Sequence, residues 1–384
     1  MLIGFTVQNF RSFLEETSLS MVATADKEYR DFNVIAEPHD DLLKSILIYG
    51  ANAGGKSNLI HALYYMKKMI VSPIDVQTEH IKTNQPFTFR EDAKNLPTKF
   101  EISFVVDGVV YDYGFDILRG QINREFLYKK AQRRTLVFER TAPGFESIRL
   151  TPDMADVEPL KKNVRGDVLF LSWAAYTNNT LAIKIVDWIA NKLIIFGFNG
   201  YSRPKDELNP STLSFVHKAD ADILSLRLQS GGNLLSSHNV YDECWESIKT
   251  VEVPFAQYSS DGTKRMLALS DAFTKAMSES ATIVIDELDL HLHPSLVRHL
   301  ISLVNSIEHN PMGAQLICTT HDVLLLDEDI RRDQIWFVEK DEHSVSKLYS
   351  LSDFKDVRKN SDILKRYLLG VYGAVPNLRG GENE

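Results

Sequence analysis

An α/β fold is predicted by three short stretches of this 384-residue chain. The first is an apolar strand over residues 45–49 that runs into Gly50-Ala-Asn-Ala-Gly54-Gly55-Lys56-Ser57 and then into a helical repeat of Leu59, Leu63, Met66 and Ile70. The second is an apolar strand at 281–285 that ends in Asp286 and Glu287, and the third, at 314–319, leads into Thr320, His321 and Asp322. Unbroken apolar runs of this length, separated by helical periodicity, suit a parallel sheet covered on both faces. The expected fold class is therefore an α/β P-loop core, with an antiparallel β subdomain and a helical insertion added to it.

The elements follow in order. Residues 2–10 alternate as a strand, and β character continues to Met21. Segments 100–106, 110–118, 124–130 and 134–140 read as successive antiparallel strands, helped by the turn pairs Asp107-Gly108 and Arg119-Gly120. From Asp167 to about residue 250 longer helical segments take over, broken by the polar stretch GFNGYSRPKDELNPS. That region carries no sustained heptad repeat, so it predicts a compact helical subdomain rather than a coiled-coil arm. Helices at 260–277 and 294–306 and a closing hairpin at 335–339 and 345–351 complete the second half. The expected division is 1–165 for the first lobe with its β subdomain, 166–255 for the helical insertion, and 256–384 for the second lobe.

Composition narrows the classes. Forty-three Lys and Arg against 52 Asp and Glu leave a formal charge of −9, which argues against general attraction to nucleic acid or an anionic membrane. No window reaches the apolar length of a membrane span, and the N-terminus lacks a basic leader. Two cysteines, Cys244 and Cys318, cannot build a disulfide framework, and their surroundings read as ordinary core. A cytoplasmic protein is the expectation.

The chemistry is in the motifs. Gly50, Gly54 and Gly55 let backbone amides surround phosphate oxygens, the following helix adds positive potential, Lys56 reaches terminal phosphates, and Ser57 suits magnesium. Asn52 and Asn58 either shape this loop or serve ordinary turn and capping duty. Asp286 at a strand end suits hydrated magnesium, and Glu287 can accept a proton from an attacking water. Ser260 and Gly262 at a helix start can present a hydroxyl and amides to a phosphate. His321, just past a core strand, is placed to hydrogen-bond a terminal phosphate.

Taken together, Asn9-Phe-Arg11-Ser-Phe13, GANAGGKSN, SSDGTKR, VIDELDLHLHP, TTHD and YLLGVYGAVP resemble the ATP-binding-cassette (ABC) ATPase heads of the structural-maintenance, RecF and overcoming-lysogenisation-defect groups. The chain resembles more closely the stand-alone AAA15/AAA21-type ATPases that include RloA proteins of bacterial defence loci. The resemblance implies ATP and Mg2+ as ligands and a head-to-tail homodimer, or a higher oligomer of such dimers. Lys56 and Ser57 of one copy would face Ser260 and Gly262 of another, Glu287 would position water, Asp289 would couple the sites, and Arg11 would lie near the nucleotide. The signature departs from the paired glycines usual after its serine, having Asp261-Gly262 instead. Gln85, before Pro86-Phe87, is a candidate for the glutamine that links nucleotide to the lateral subdomain; a structural or exposed role is the competing reading.

Other features receive plainer readings. His291, His293 and His299 lack zinc spacing. The basic runs at Lys67-Lys68, Lys129-Lys130 with Arg133-Arg134, and Lys161-Lys162 with Arg165 read chiefly as solvated faces, with binding of nucleic-acid phosphates or of an acidic partner as the alternative. Trp173, Tyr176, Trp188, Phe196 and Phe198 suit a helical core or protein interface. Glu339, Asp341 and Glu342 suit a polar hairpin and make no nuclease centre. The expectation is thus an ATPase that regulates a separate nuclease or toxin in antiphage defence, with nucleic acid reached through that partner and no membrane involved. The competing functions are a DNA recombination or repair ATPase and an assembly scaffold with little turnover.

Overall fold

The computed structural model describes residues 1–197, 208–209, 211–229, 231–355 and 362–376. Two sheets organise it. The larger is antiparallel and seven-stranded, in the spatial order Ile148–Leu150, Arg134–Arg140, Gln121–Lys130, Val109–Leu118, Thr98–Val106, Leu2–Gln8, Thr17–Ser20. Its hairpins are tight because the predicted turn pairs take left-handed conformations: φ is 49° and 73° at Asp107 and Gly108, and 50° and 72° at Arg119 and Gly120.

The second sheet holds the three motif strands. Its order is Leu193–Phe196, Thr282–Ile285, Gln315–Thr319, Ser45–Tyr49, Ile335–Lys340, Ser346–Ser350. All neighbours run parallel except the last pair. Ser45–Tyr49 and Gln315–Thr319 are buried at every position, as expected of strands covered on both faces. The three motif loops therefore leave the sheet at the carboxyl ends of adjacent strands, where ligand sites form in open α/β sheets.

Helix Lys56–Val71 buries the predicted stripe of Leu59, Leu63, Met66 and Ile70 in a core shared with the antiparallel sheet and with helices Phe170–Tyr176 and Thr180–Lys192. Helices Asp261–Glu279 and Pro294–Asn305 pack on the second sheet in a separate core. The closing segment joins that core: the rings of Tyr367 and Tyr372 lie 5.4 Å and 5.8 Å from that of Phe337. Among the described residues, no helix is long and apolar enough to cross a membrane.

Residues 166–255 contain the expected helices and also strands that periodicity missed. Leu193–Phe196 joins the parallel sheet, and Ser225–Leu228, Leu234–Tyr241 and Ser247–Pro254 form a three-stranded antiparallel sheet. Within it Ser225–Leu228 alternates exposed and half-buried positions over only four residues, and Ser247–Pro254 is solvated on both sides. The β-branched residues Ile248, Thr250, Val251 and Val253 are the signal left in that last strand. Cys318 is buried as read, but Cys244 is exposed on the turn of this sheet rather than in core. Trp173 and Trp188 are buried, Phe196 is partly buried and Tyr176 is exposed; Phe198 lies outside the described residues.

Candidate active site

The glycines of the P-loop are required by their neighbours as well as by the loop. A Cβ at Gly50 would stand 2.2 Å from the carbonyl oxygen of Val338, and one at Gly54 2.9 Å from the same atom. Gly55 has φ of 124°, and its Cβ would meet Ser346 Oγ at 2.3 Å. The closing hairpin is thus pressed directly against the loop. Helix Lys56–Val71 starts at Gly55 without a side-chain cap, so its first-turn amides remain available to a ligand anion.

Lys56 Nζ donates to Gly50 O at 2.7 Å and Ala51 O at 3.2 Å, at the mouth of the loop. Burial lowers its pKa, opposed by attraction to Asp286, Glu287 and Asp289. Ser57 is half-buried beside it, and Asn52 is exposed in the loop.

The carboxylates are held by the first residue of the TTHD motif, to which the sequence assigns no role. Thr319 Oγ1 donates to Asp286 Oδ1 at 2.6 Å and accepts from the Glu287 amide at 2.7 Å. Glu287 is exposed and has φ of 52°, a left-handed conformation uncommon for a residue with a side chain. Both oxygens of Asp289 accept from the His321 amide at 3.2 Å, fixing the turn that carries the exposed imidazole. Arg265, the last residue of the SSDGTKR motif, joins them: its guanidinium donates to the carbonyls of Asp286 at 3.4 Å and Glu287 at 3.0 Å.

Ser260 caps helix Asp261–Glu279 by accepting from Thr263 N at 3.1 Å, so its hydrogen bonds stay within its own helix. Gly262 is packed closely: a Cβ there would come 2.8 Å from His291 O. The signature turn therefore abuts the segment that follows Asp289.

On the other flank, Arg11 has φ of 50° and donates from its amide to Gln85 O at 2.7 Å. Its side chain donates to Gln85 Oε1 at 2.8 Å and Asn58 Oδ1 at 3.4 Å, and burial lowers its pKa. Asn58 Nδ2 donates to Ser12 Oγ at 2.7 Å, and Ser346 Oγ lies 2.8 Å from Ser12 Oγ and 2.7 Å from Gly54 O. Ser12 belongs to the Asn9–Phe13 motif without a role assigned from sequence, and Ser346 carries no sequence signal. Arg11, Ser12, Asn58, Gln85 and Lys340 line one cleft of about 450 Å³.

His293 caps helix Pro294–Asn305 through Ser295 N at 3.2 Å, and burial lowers the pKa of His299. Glu339 accepts from Ala374 N at 2.8 Å, and Asp341 from His343 and Val345 amides at 3.0 Å, so both brace the closing hairpin.

A P-loop, a carboxylate pair two strands away and a histidine just past the strand between them define an α/β P-loop ATPase head. The chain belongs to the family described as "AAA domain, putative AbiEii toxin, Type IV TA system", whose model matches residues 45–165 and 195–327. Comparison with curated proteins returned no match. Similar solved structures include the SMC head domain from Thermotoga maritima, at 15% identity over 91% of this chain and 98% of that one, with a TM-score of 0.42. Another is an SmcHead bound to the C-winged helix domain of ScpA, at 16% identity over 91% and 97%, with a TM-score of 0.40.

Proposed function

We propose that this chain hydrolyses ATP to ADP and phosphate in a head-to-tail pair of copies and thereby regulates a separate nuclease or toxin in antiphage defence. The observation that carries the reading is that the P-loop, the Asp286–Glu287 turn and the His321 turn leave the carboxyl ends of three neighbouring parallel strands, with Lys56 Nζ at the mouth of the loop. Lys56 and the loop amides would hold the terminal phosphates. Ser57 and Asp286 would hold magnesium, which supplies charge neutralisation for the phosphate oxygens when bound. An oxygen-rich pair of this kind fits a hard cation that keeps several waters. Glu287 would orient the attacking water and take its proton, and His321 would donate to the terminal phosphate.

A second copy supports the site from outside. Ser260 and Gly262 would approach the phosphate from that copy, adding a hydroxyl and amides and excluding bulk water. The departing signature keeps this chemistry, because the helix still begins with a capping serine and an accessible first turn.

The effector role rests on the toxin system named in the family's description, together with closing-hairpin carboxylates that serve structure rather than a metal centre. The test is phosphate release by the native complex, followed by infection of cells carrying the intact locus with wild-type or Lys56→Ala protein. Turnover and Lys56-dependent protection are expected. Nucleotide-dependent assembly without turnover would instead make the chain a scaffold, and DNA-stimulated turnover with unchanged protection would make it a DNA-maintenance enzyme.

A further inference from the structure

The hairpin of Leu234–Tyr241 and Ser247–Pro254 ends in a tip that no part of the nucleotide chemistry uses. There Trp245 is 81% exposed, Ile248 59% and Tyr241 47%. The Trp245 and Tyr241 rings lie 6.1 Å apart, and Asp242, Glu243 and Glu246 stand among them in sequence. The turn is tied down: Asp242 Oδ1 accepts from the amides of Cys244 and Glu246 at 2.9 Å, and Trp245 N donates to Asp242 O at 3.1 Å. An exposed indole on a fixed turn has the chemistry of an interface anchor, with little backbone entropy left to lose on docking. Its acidic surroundings oppose phosphate backbones and anionic lipids and favour a basic protein surface.

The same chain carries such a surface. The turn joining Gln121–Lys130 to Arg134–Arg140 presents Lys129, Lys130, Arg133 and Arg134, and residues 131–134 are exposed. Lys129 holds Asp153 at 2.7 Å and Arg134 holds Asp112 at 2.8 Å, so these two are engaged within the chain. The Arg134 guanidinium also lies 3.8 Å from the centre of the Tyr128 ring, so stacking of a ring on a guanidinium already occurs at this turn.

We propose that the hairpin tip of one copy docks on the basic turn of a second copy, with Trp245 against Arg133 and with Glu243 and Glu246 facing Lys130 and Arg133. The two patches differ, so the contact is heterologous and propagates into a ring or a chain. It is independent of nucleotide, and it joins the proposed ATP-bound pairs into larger assemblies.

The test is the mass of the full chain by light scattering and sedimentation, over a concentration series without nucleotide, at low and high salt. Salt-sensitive self-association is expected. Trp245→Ser, the pair Glu243→Arg with Glu246→Arg, and the pair Lys130→Glu with Arg133→Glu should each weaken it by about tenfold or more. Mixing the two charge-reversed proteins, each verified as folded by thermal melting, should restore it. A monomer at every concentration, hairpin variants that associate like wild type, or failure of the mixture to restore association would each overturn the proposal. So would loss of a different bound protein from Trp245→Ser while self-association stays intact. Lys56→Ala separates the two readings, because it should abolish ATP-dependent pairing and leave this contact unchanged.

Discussion

Replacing Thr319 with valine tests how the two strand ends cooperate. Thr319 is fully buried, so valine preserves the packing while removing a hydroxyl that serves Asp286 at 2.6 Å and the Glu287 amide at 2.7 Å. The bond to the carboxylate is of the charge-assisted kind, worth about 1.5–3 kcal/mol, and the bond from the amide about 1 kcal/mol. Glu287 also sits at φ of 52°, a conformation that costs about 1–3 kcal/mol and persists only while its surroundings enforce it. Without the threonine that enforcement is cut by an amount similar to the strain.

We expect the barrier to rise by about 2–3 kcal/mol, which lowers kcat by about thirtyfold to a hundred-and-sixtyfold. ATP affinity should change by less than about threefold, since the P-loop and Lys56 are untouched. Phosphate release measures the first and titration with a fluorescent ATP analogue the second, while thermal melting confirms the fold. Thr319→Ser should recover most of the rate. Wild-type turnover by a folded Thr319→Val protein, or a serine variant as slow as the valine one, would refute the reasoning.

Glu287→Gln should retain ATP but slow hydrolysis by about a hundredfold or more, because the amide cannot accept the proton; light scattering with ATP should then show a persistent pair of copies. Gly55→Ala should abolish nucleotide binding and lower the melting temperature, since the added Cβ would meet Ser346 Oγ at 2.3 Å on a backbone with φ of 124°. Ser346→Gly in the same protein removes that collision and should recover melting temperature in part. Asp116→Asn should stabilise the protein in a pH-dependent way. Burial raises the Asp116 pKa to about 6, against the opposing pull of its cross-strand partners Lys99 and Arg124. The folded state therefore holds the proton more tightly than the unfolded state, and the carboxylate costs stability as pH rises from its ordinary value through 6. Melting of the asparagine variant should exceed wild type by a few degrees above pH 6 and match it near pH 3.5, an effect on the order of 1–3 kcal/mol.

The parts of this molecule legible in the sequence are those written in contiguous residues. Strand, glycine loop and helix follow one another from Ser45 to Val71, and the paired turns at Asp107 and Arg119 specify their own hairpins. The site's supporting contacts join residues far apart in the chain: Thr319, Arg265 and Ser12 stand inside the TTHD, SSDGTKR and Asn9–Phe13 motifs, yet nothing local assigns their contacts, and Ser346 lies in no motif. Ser346 reaches Ser12 across 334 positions, and Thr319 reaches Asp286 across 33. The solvated sheet at 225–254 stayed hidden for a different reason, since a strand exposed on both faces has no apolar alternation to read.

Arg265 shows what those hidden contacts add. It stands one turn past Ser260 in the same helix and donates to the carbonyls of Asp286 and Glu287. A shift of that helix when Ser260 meets a second copy's phosphate would therefore pull on the backbone that orients Glu287, whose left-handed φ leaves it little tolerance. Pairing and hydrolysis would then be linked within one chain by a single guanidinium, and the weakened signature would set how strongly a second copy is felt at the chain's own carboxylates.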